Sequence, residues 1–147
     1  MKTKSSLYLD TSALTKLYLI EPETPEVARR VRMQQSPIPF GSLHELEFSS
    51  AFERRRAAGE ISEATVKQIW RAIESDLRQG VLQRIDLDWP AIFSAAVQLV
   101  QRHGARVGLR ALDSLHLACA LELKSKTLIT FDERQSRAAA LEGMETN

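Results

Sequence analysis

Four carboxylates, Asp10, Glu47, Asp113 and Asp132, fall at positions where an unpartnered acid is costly. Asp10 ends the apolar run Leu7-Tyr8-Leu9 and Asp132 ends Leu128-Ile129-Thr130-Phe131, while Glu47 and Asp113 lie among small or apolar residues on helical segments. Carboxylates crowded into one place repel, raise one another's pKa values and weaken the fold unless a divalent cation neutralises them. Ligation by oxygen alone, completed by water, suits Mg2+ or Mn2+ better than zinc. The chemistry open to such a set is that of a bound hard cation.

Each acid also has an ordinary explanation. Asp10 can cap a helix opened by Thr11-Ser12, Asp132 can cap the helix after it, and Asp113 in a first helical turn is favoured by the positive end of the helix. Glu47 has a neighbouring rival in Glu45. At about 100° per residue Glu47 falls between Leu43, Ser50 and Ala51, whose small side chains admit another element, whereas Glu45 falls beside Ser49 and Phe52. Glu47 is therefore taken as the inward acid, with Glu45 as the alternative. The case for a site rests on the four together.

The elements that must position them alternate in type. Ser6 to Leu9 reads as a short buried strand, and Thr11 or Ser12 caps a helix to about Ile20, where Glu21-Pro22 stops it. A second helix spans Glu23 to Met33, and Pro37 and Pro39 confine Ile38-Pro39-Phe40 to a strand edge or entry. A helix from Ser42 to Ala58-Gly59 and another from Ser62 to Arg78 form an antiparallel hairpin. Val81 to Leu87 reads as a strand, and Pro90 to His103 as a helix closed by Gly104. The last helix, strand and helix span Leu112 to Lys124, Thr127 to Thr130 and Glu133 to Leu141. Alternating strands and helices imply a parallel sheet covered on both faces, whose strand carboxyl ends open onto a ligand crevice. Asp10 and Asp132 should meet there.

With 147 residues the chain has room for one domain, spanning 1–147, and too little for two ordinary ones. A net charge of +1 gives weak bulk attraction to polyanions, so any such binding must come from a local patch. Cys119 is the sole cysteine and lies in the apolar run Leu115 to Leu121. It excludes an internal disulfide and reads as a buried thiol suited to the cytoplasm. Lys2 and Lys4 are followed by Asp10 before any long apolar run, which argues against a secretory signal, and no run reaches membrane-spanning length.

In chain order, Leu-Tyr-Leu-Asp-Thr-Ser-Ala-Leu at 7–14, Glu-Phe-Ser-Ser-Ala at 47–51, Arg-Ala-Leu-Asp-Ser-Leu-His-Leu-Ala at 110–118 and Leu-Ile-Thr-Phe-Asp at 128–132 resemble the motifs of PIN-domain proteins. Among these the chain is most similar to VapC-like toxin ribonucleases of type II toxin–antitoxin pairs. The resemblance implies an α/β fold, a three-layer α/β/α sandwich around a short, mainly parallel sheet with a helical hairpin. It implies Asp10, Glu47, Asp113 and Asp132 as the acidic set, with Thr11, Ser12 and Thr130 orienting a carboxylate, a water or a phosphate. It further implies Mg2+-dependent (or Mn2+-dependent) cleavage of single-stranded or looped RNA to 5′-phosphate and 3′-hydroxyl ends, a homodimer, and an antitoxin protein that occludes the site. On that reading Asp10 and Asp113 hold the principal ion. Glu47 holds a water on it or an outer position, and Asp132 helps place a second ion or the attacking water. Arg110, just ahead of Asp113, is the arginine best placed for a phosphate. The family commonly closes with one more short strand, and residues 141–147 read as a stunted or absent version of it.

Competing readings are weaker. His116, one turn beyond Asp113, is better explained as a satisfied packed histidine than as a metal ligand; His44-Glu45 lacks the second histidine of a zinc-protease motif; His103 reads as a capping residue near a helix end. Arg54-Arg55-Arg56, Arg102, Arg106, Lys124, Lys126, Arg134 and Arg137 offer phosphate contacts, although a solvated helix face explains most such residues. Trp70 and Trp89 read as core or interface rather than as base-stacking platforms. An aspartyl-phosphate enzyme using Asp10 would lack its customary second Asp, since Ser12 stands there. A non-catalytic nucleic-acid-binding module would have little use for the full acidic set.

Overall fold

A computed structural model describes residues 6–147, so Lys2 and Lys4 lie outside the described residues. The strands are short: β1 (Leu7–Leu9), β2 (Ile38–Phe40), β3 (Leu82–Arg84), β4 (Thr127–Ile129) and β5 (Glu145–Thr146). Between them run α1 (Thr11–Thr15), α2 (Thr24–Arg32), α3 (Ser42–Ala57), α4 (Glu63–Gln79), α5 (Trp89–Val107), α6 (Ala111–Glu122) and α7 (Glu133–Leu141). Every strand pair is parallel, in the orders β1-β4-β5 and β2-β3, and β2 lies alongside β1.

The period-two alternation of the strands decides the layers. Leu7, Leu9 and Ile129 point into a core shared with Phe40, Phe48, Phe52 and Ile73 from the β2 side and the α3–α4 hairpin. Tyr8 and Leu128 point the opposite way, into a core shared with α5, α6 and α7. Two apolar cores on opposite faces of short parallel strands make the expected three-layer sandwich. Trp70 packs on Phe52 with ring centroids 5.8 Å apart, and Trp89 is partly buried against the second core. Cys119 is buried, as its apolar surroundings require. Among the described residues no helix is long and apolar enough to cross a membrane.

Several boundaries differ from the sequence expectation. Helix α1 stops at Thr15 rather than Ile20, because the next turn tightens to bonds such as Leu17 N to Leu14 O, and the Thr24 hydroxyl captures the Lys16 carbonyl at 2.7 Å. The strand expected over Val81 to Leu87 shrinks to β3, since its partner β2 is only three residues long between Pro37 and Gly41. Helix α5 runs through Gly104 to Val107, and the left-handed residue that ends it is Gly108, at φ 75°. His103 is therefore not a cap: it is a mid-helix side chain bonded to Glu142 at 2.6 Å. Strand β5 is stunted but present, and just beyond it the Asn147 side-chain oxygen accepts a hydrogen bond from Thr130 N.

Candidate active site

Parallel pairing of Leu9 with Ile129 places Asp10 and Thr130, the next residues of each strand, side by side at the strand carboxyl ends. Asp10 N continues the ladder to Ile129 O, and the buried Asp10 side chain then turns into the opening of α1. Its Oδ1 accepts from Ser12 Oγ at 2.7 Å and from Ala13 N at 3.0 Å, and its Oδ2 accepts from Thr130 Oγ1 at 2.6 Å. Asp10 is thus a helix cap, the ordinary reading, and is also held at the strand ends. Burial pushes its carboxyl up, against the opposing pull of His116 and of these donors.

The same junction carries Asp132. Asp132 N donates to Thr130 Oγ1 at 3.0 Å, and Asp132 Oδ1 caps α7 by accepting from Gln135 N at 3.0 Å. Asp113 joins from the first turn of α6, where its backbone carbonyl accepts from the Gln135 side-chain amide at 3.2 Å. Arg110 closes the group: Nε donates to Asp113 Oδ2 at 3.3 Å and Nη2 to Asp132 Oδ2 at 2.7 Å. Burial and the nearby charges of Asp132 and Asp10 push the Asp113 carboxyl up, while Arg110 pulls it down.

Glu47 approaches from α3 and meets Thr11, the residue that follows Asp10. It accepts from Thr11 Oγ1 at 2.6 Å and from His116 Nε2, while His116 Nδ1 meets the Tyr8 hydroxyl at 2.8 Å. An ionised Glu47 carboxylate can only accept, so His116 Nε2 is the donor in that pair. Burial raises the Glu47 carboxyl, but His116 and Thr11 outweigh it and hold it below the usual range. Glu45 points elsewhere, into an exposed pair with Arg84 at 2.8 Å.

An open cleft of about 920 Å³ runs beside these acids between α1 and α3, lined by Glu47 itself and by Ser12, Leu112 and Phe131, the chain neighbours of the others' segments. Lys16, Arg54 and Arg55 also face it. Lys16 and Arg55 are already paired to Glu21, whereas among the described residues Arg54 donates only to the Ser50 hydroxyl. Arg56, Arg102 and Arg137 form ion pairs with Glu53, Glu142 and Glu133, as solvated helix faces do.

The PIN domain family profile matches residues 7–141, which includes all four acids. The chain belongs to the PIN-domain family. It is 29% identical over 133 residues to ribonuclease VapC47 of Mycobacterium tuberculosis (strain CDC 1551 / Oshkosh), covering 87% of this chain and 85% of that protein. The fold is shared with VapBC2 from Rickettsia felis, solved bound to a DNA fragment from their promoter, at a TM-score of 0.63, 15% identity and 96% coverage of both chains. It is shared also with FitAcB from Neisseria gonorrhoeae, at a TM-score of 0.55, 16% identity and 95% coverage of both chains.

In this PIN domain the donor set at the strand ends is all oxygen. Asp10 Oδ1 is saturated by two donors, Oδ2 by only one, so Asp10 keeps a lone pair for a cation. Asp113 Oδ2 and Asp132 Oδ2 each accept from the exposed guanidinium of Arg110 and, among the described residues, from no other donor. Among the described residues no three acidic, histidine or cysteine side chains already converge as a preformed metal cage. The donors nonetheless fit a hard, partly hydrated ion, which needs few protein ligands. Tyr8, His116 and Gln135 were not assigned to the site from sequence. The one available signal was the placement of His116 one helical turn after Asp113, on the face that carries the acid into the site.

Proposed function

We propose that this PIN domain is a metal-dependent endoribonuclease, the toxin of a toxin–antitoxin pair, and that Asp10, Asp113, Asp132 and Glu47 form its active site. The observation that carries the reading is the junction of Asp10 and Asp132 through Thr130 at the ends of two paired parallel strands, with Asp113 tied to Asp132 by Arg110. Similarity to ribonuclease VapC47 over most of both chains supports the ribonuclease class, and a fold shared with VapBC2 supports a protein antitoxin as partner.

Asp10 and Asp113 would hold the principal Mg2+ or Mn2+ ion, with Asp132 placed for a second ion or the attacking water. Such an ion, when bound, supplies charge stabilisation at the phosphoryl oxygens and activation of water. The protein's own part is positional. Thr130, Ser12 and the α1 amide fix the Asp10 carboxylate, and Thr11 and His116 fix Glu47. Arg110 at the rim would contact a substrate phosphate, and the cleft between α1 and α3 would take the RNA strand. A homodimer and a cytoplasmic location complete the proposal; the buried, unpaired Cys119 is in keeping with a reducing compartment.

The test is digestion of total RNA by purified protein with Mn2+ or EDTA, followed by mapping of the ends. Cleavage that EDTA abolishes, leaving 5′-phosphates, and its loss in Asp113→Asn with an unchanged circular dichroism spectrum, is the expected result. Cleavage that survives both EDTA and Asp113→Asn would refute the assignment.

A further inference from the structure

We infer that Arg110 is a built-in occupant of the cation site, holding Asp113 and Asp132 together without metal and giving way when a divalent ion binds. The inference rests on the metal-nuclease reading above and goes beyond a phosphate-contacting role.

Three features of the geometry carry it. First, one planar guanidinium spans two carboxylates from different elements, the first turn of α6 and the cap of α7. Each contact uses an Oδ2. For Asp132 the other oxygen accepts from Gln135 N, so Arg110 and that amide together engage both of its oxygens. Second, Arg110 is the N-terminal capping residue of α6 but its side chain makes no capping bond, so the guanidinium has no structural duty that would keep it in place. Third, the side chain is 60% exposed and can swing into solvent without repacking the core.

A guanidinium and a divalent cation held by the same carboxylates repel each other, so metal binding weakens the Arg110 contacts and favours its release. Arg110 therefore lowers the affinity for metal while relieving acid–acid repulsion in the metal-free protein. Once displaced, it remains tethered at the rim, a cation released beside the position of the substrate phosphate.

The test measures metal binding without RNA, by electron paramagnetic resonance of free Mn2+ during titration of metal-free full-length protein. Wild type is compared with Arg110→Gln and with Arg71→Gln, which removes an exposed positive charge from α4. Arg110→Gln should bind Mn2+ about three- to tenfold more tightly, the range expected for removing two exposed ion pairs, and Arg71→Gln should match wild type within about twofold. Equal or weaker binding by Arg110→Gln would overturn the inference, as would equal tightening by Arg71→Gln. Absence of Mn2+ binding in all three proteins would instead overturn the metal-nuclease reading, and the inference with it.

Discussion

Replacing Thr130 with valine removes one hydroxyl and leaves the backbone and volume almost unchanged, so it cuts the link between the two strand-end acids together with a 3.0 Å contact to Gln135 Oε1. The buried Thr130 hydroxyl donates to Asp10 Oδ2 at 2.6 Å and accepts from Asp132 N at 3.0 Å. A hydrogen bond to a carboxylate contributes about 1.5–3 kcal/mol, and the Asp132 amide, being only partly buried, recovers part of its loss by bonding to water. The expected net cost is about 2–3 kcal/mol, which for a chain of this size lowers Tm by about 5–10 °C. Asp10 loses its only donor on Oδ2, so its already raised carboxyl should rise further. Cleavage should fall about 10- to 100-fold, as it does when a residue that orients a metal-binding carboxylate is removed. Urea denaturation, a carboxyl NMR titration of Asp10 and initial cleavage rates read the three effects separately. A stability loss under about 0.5 kcal/mol, or full cleavage despite the expected loss, would refute the idea that Thr130 couples Asp10 to Asp132.

Two further outcomes follow from the geometry. Glu47→Gln should reduce cleavage about 10-fold or more, whereas Glu45→Gln, which breaks only an exposed pair with Arg84, should leave it within about twofold; equal effects in a rate assay would contradict the placement of Glu47. Burial, reinforced by His116, pushes the His44 imidazole down to about 3, with its Nε2 donating to Leu9 O at 2.8 Å and its Nδ1 accepting from Gly41 N at 3.1 Å. An imidazole pKa depressed in the folded state gives stability that is complete above the unfolded pKa and is lost as pH falls below it. Between pH 6.5 and 5 the loss is about 2 kcal/mol. Asp10 and Asp113, being raised, act in the opposite sense and stabilise the fold as they protonate. The His44 contribution is therefore the difference between wild type and His44→Gln, whose amide can replace both bonds. Parallel pH–stability curves for the two proteins would contradict it.

What the sequence revealed was local. A run of apolar strand residues ending in Asp, followed by helix-opening residues, marks a strand end without reference to the rest of the chain, and both such junctions meet through the register of Leu9 with Ile129. The side of α3 that Glu47 occupies was legible for the same reason, since Ser50 and Ala51 recur with the helical period. Contacts across layers were not legible. Tyr8 reaches His116 because strand alternation turns it toward the α5–α7 core, and Arg110 reaches Asp132 across 22 residues only after α6 and α7 have packed. Element ends failed where two signals competed. Gly104 and Gly108 both offer a helix stop, and only the second adopts a positive φ, at 75°.

The central claim is that Asp10 and Asp113 hold one cation at the strand carboxyl ends, with Asp132 beside it. Anomalous diffraction from crystals soaked in Mn2+ tests it directly, because the peak position identifies the ligands without reference to activity. The expected result is a peak within coordination distance of the Asp10 and Asp113 carboxylates, with Arg110 turned away. No peak there at saturating Mn2+, or a peak bound only by other side chains, would contradict it.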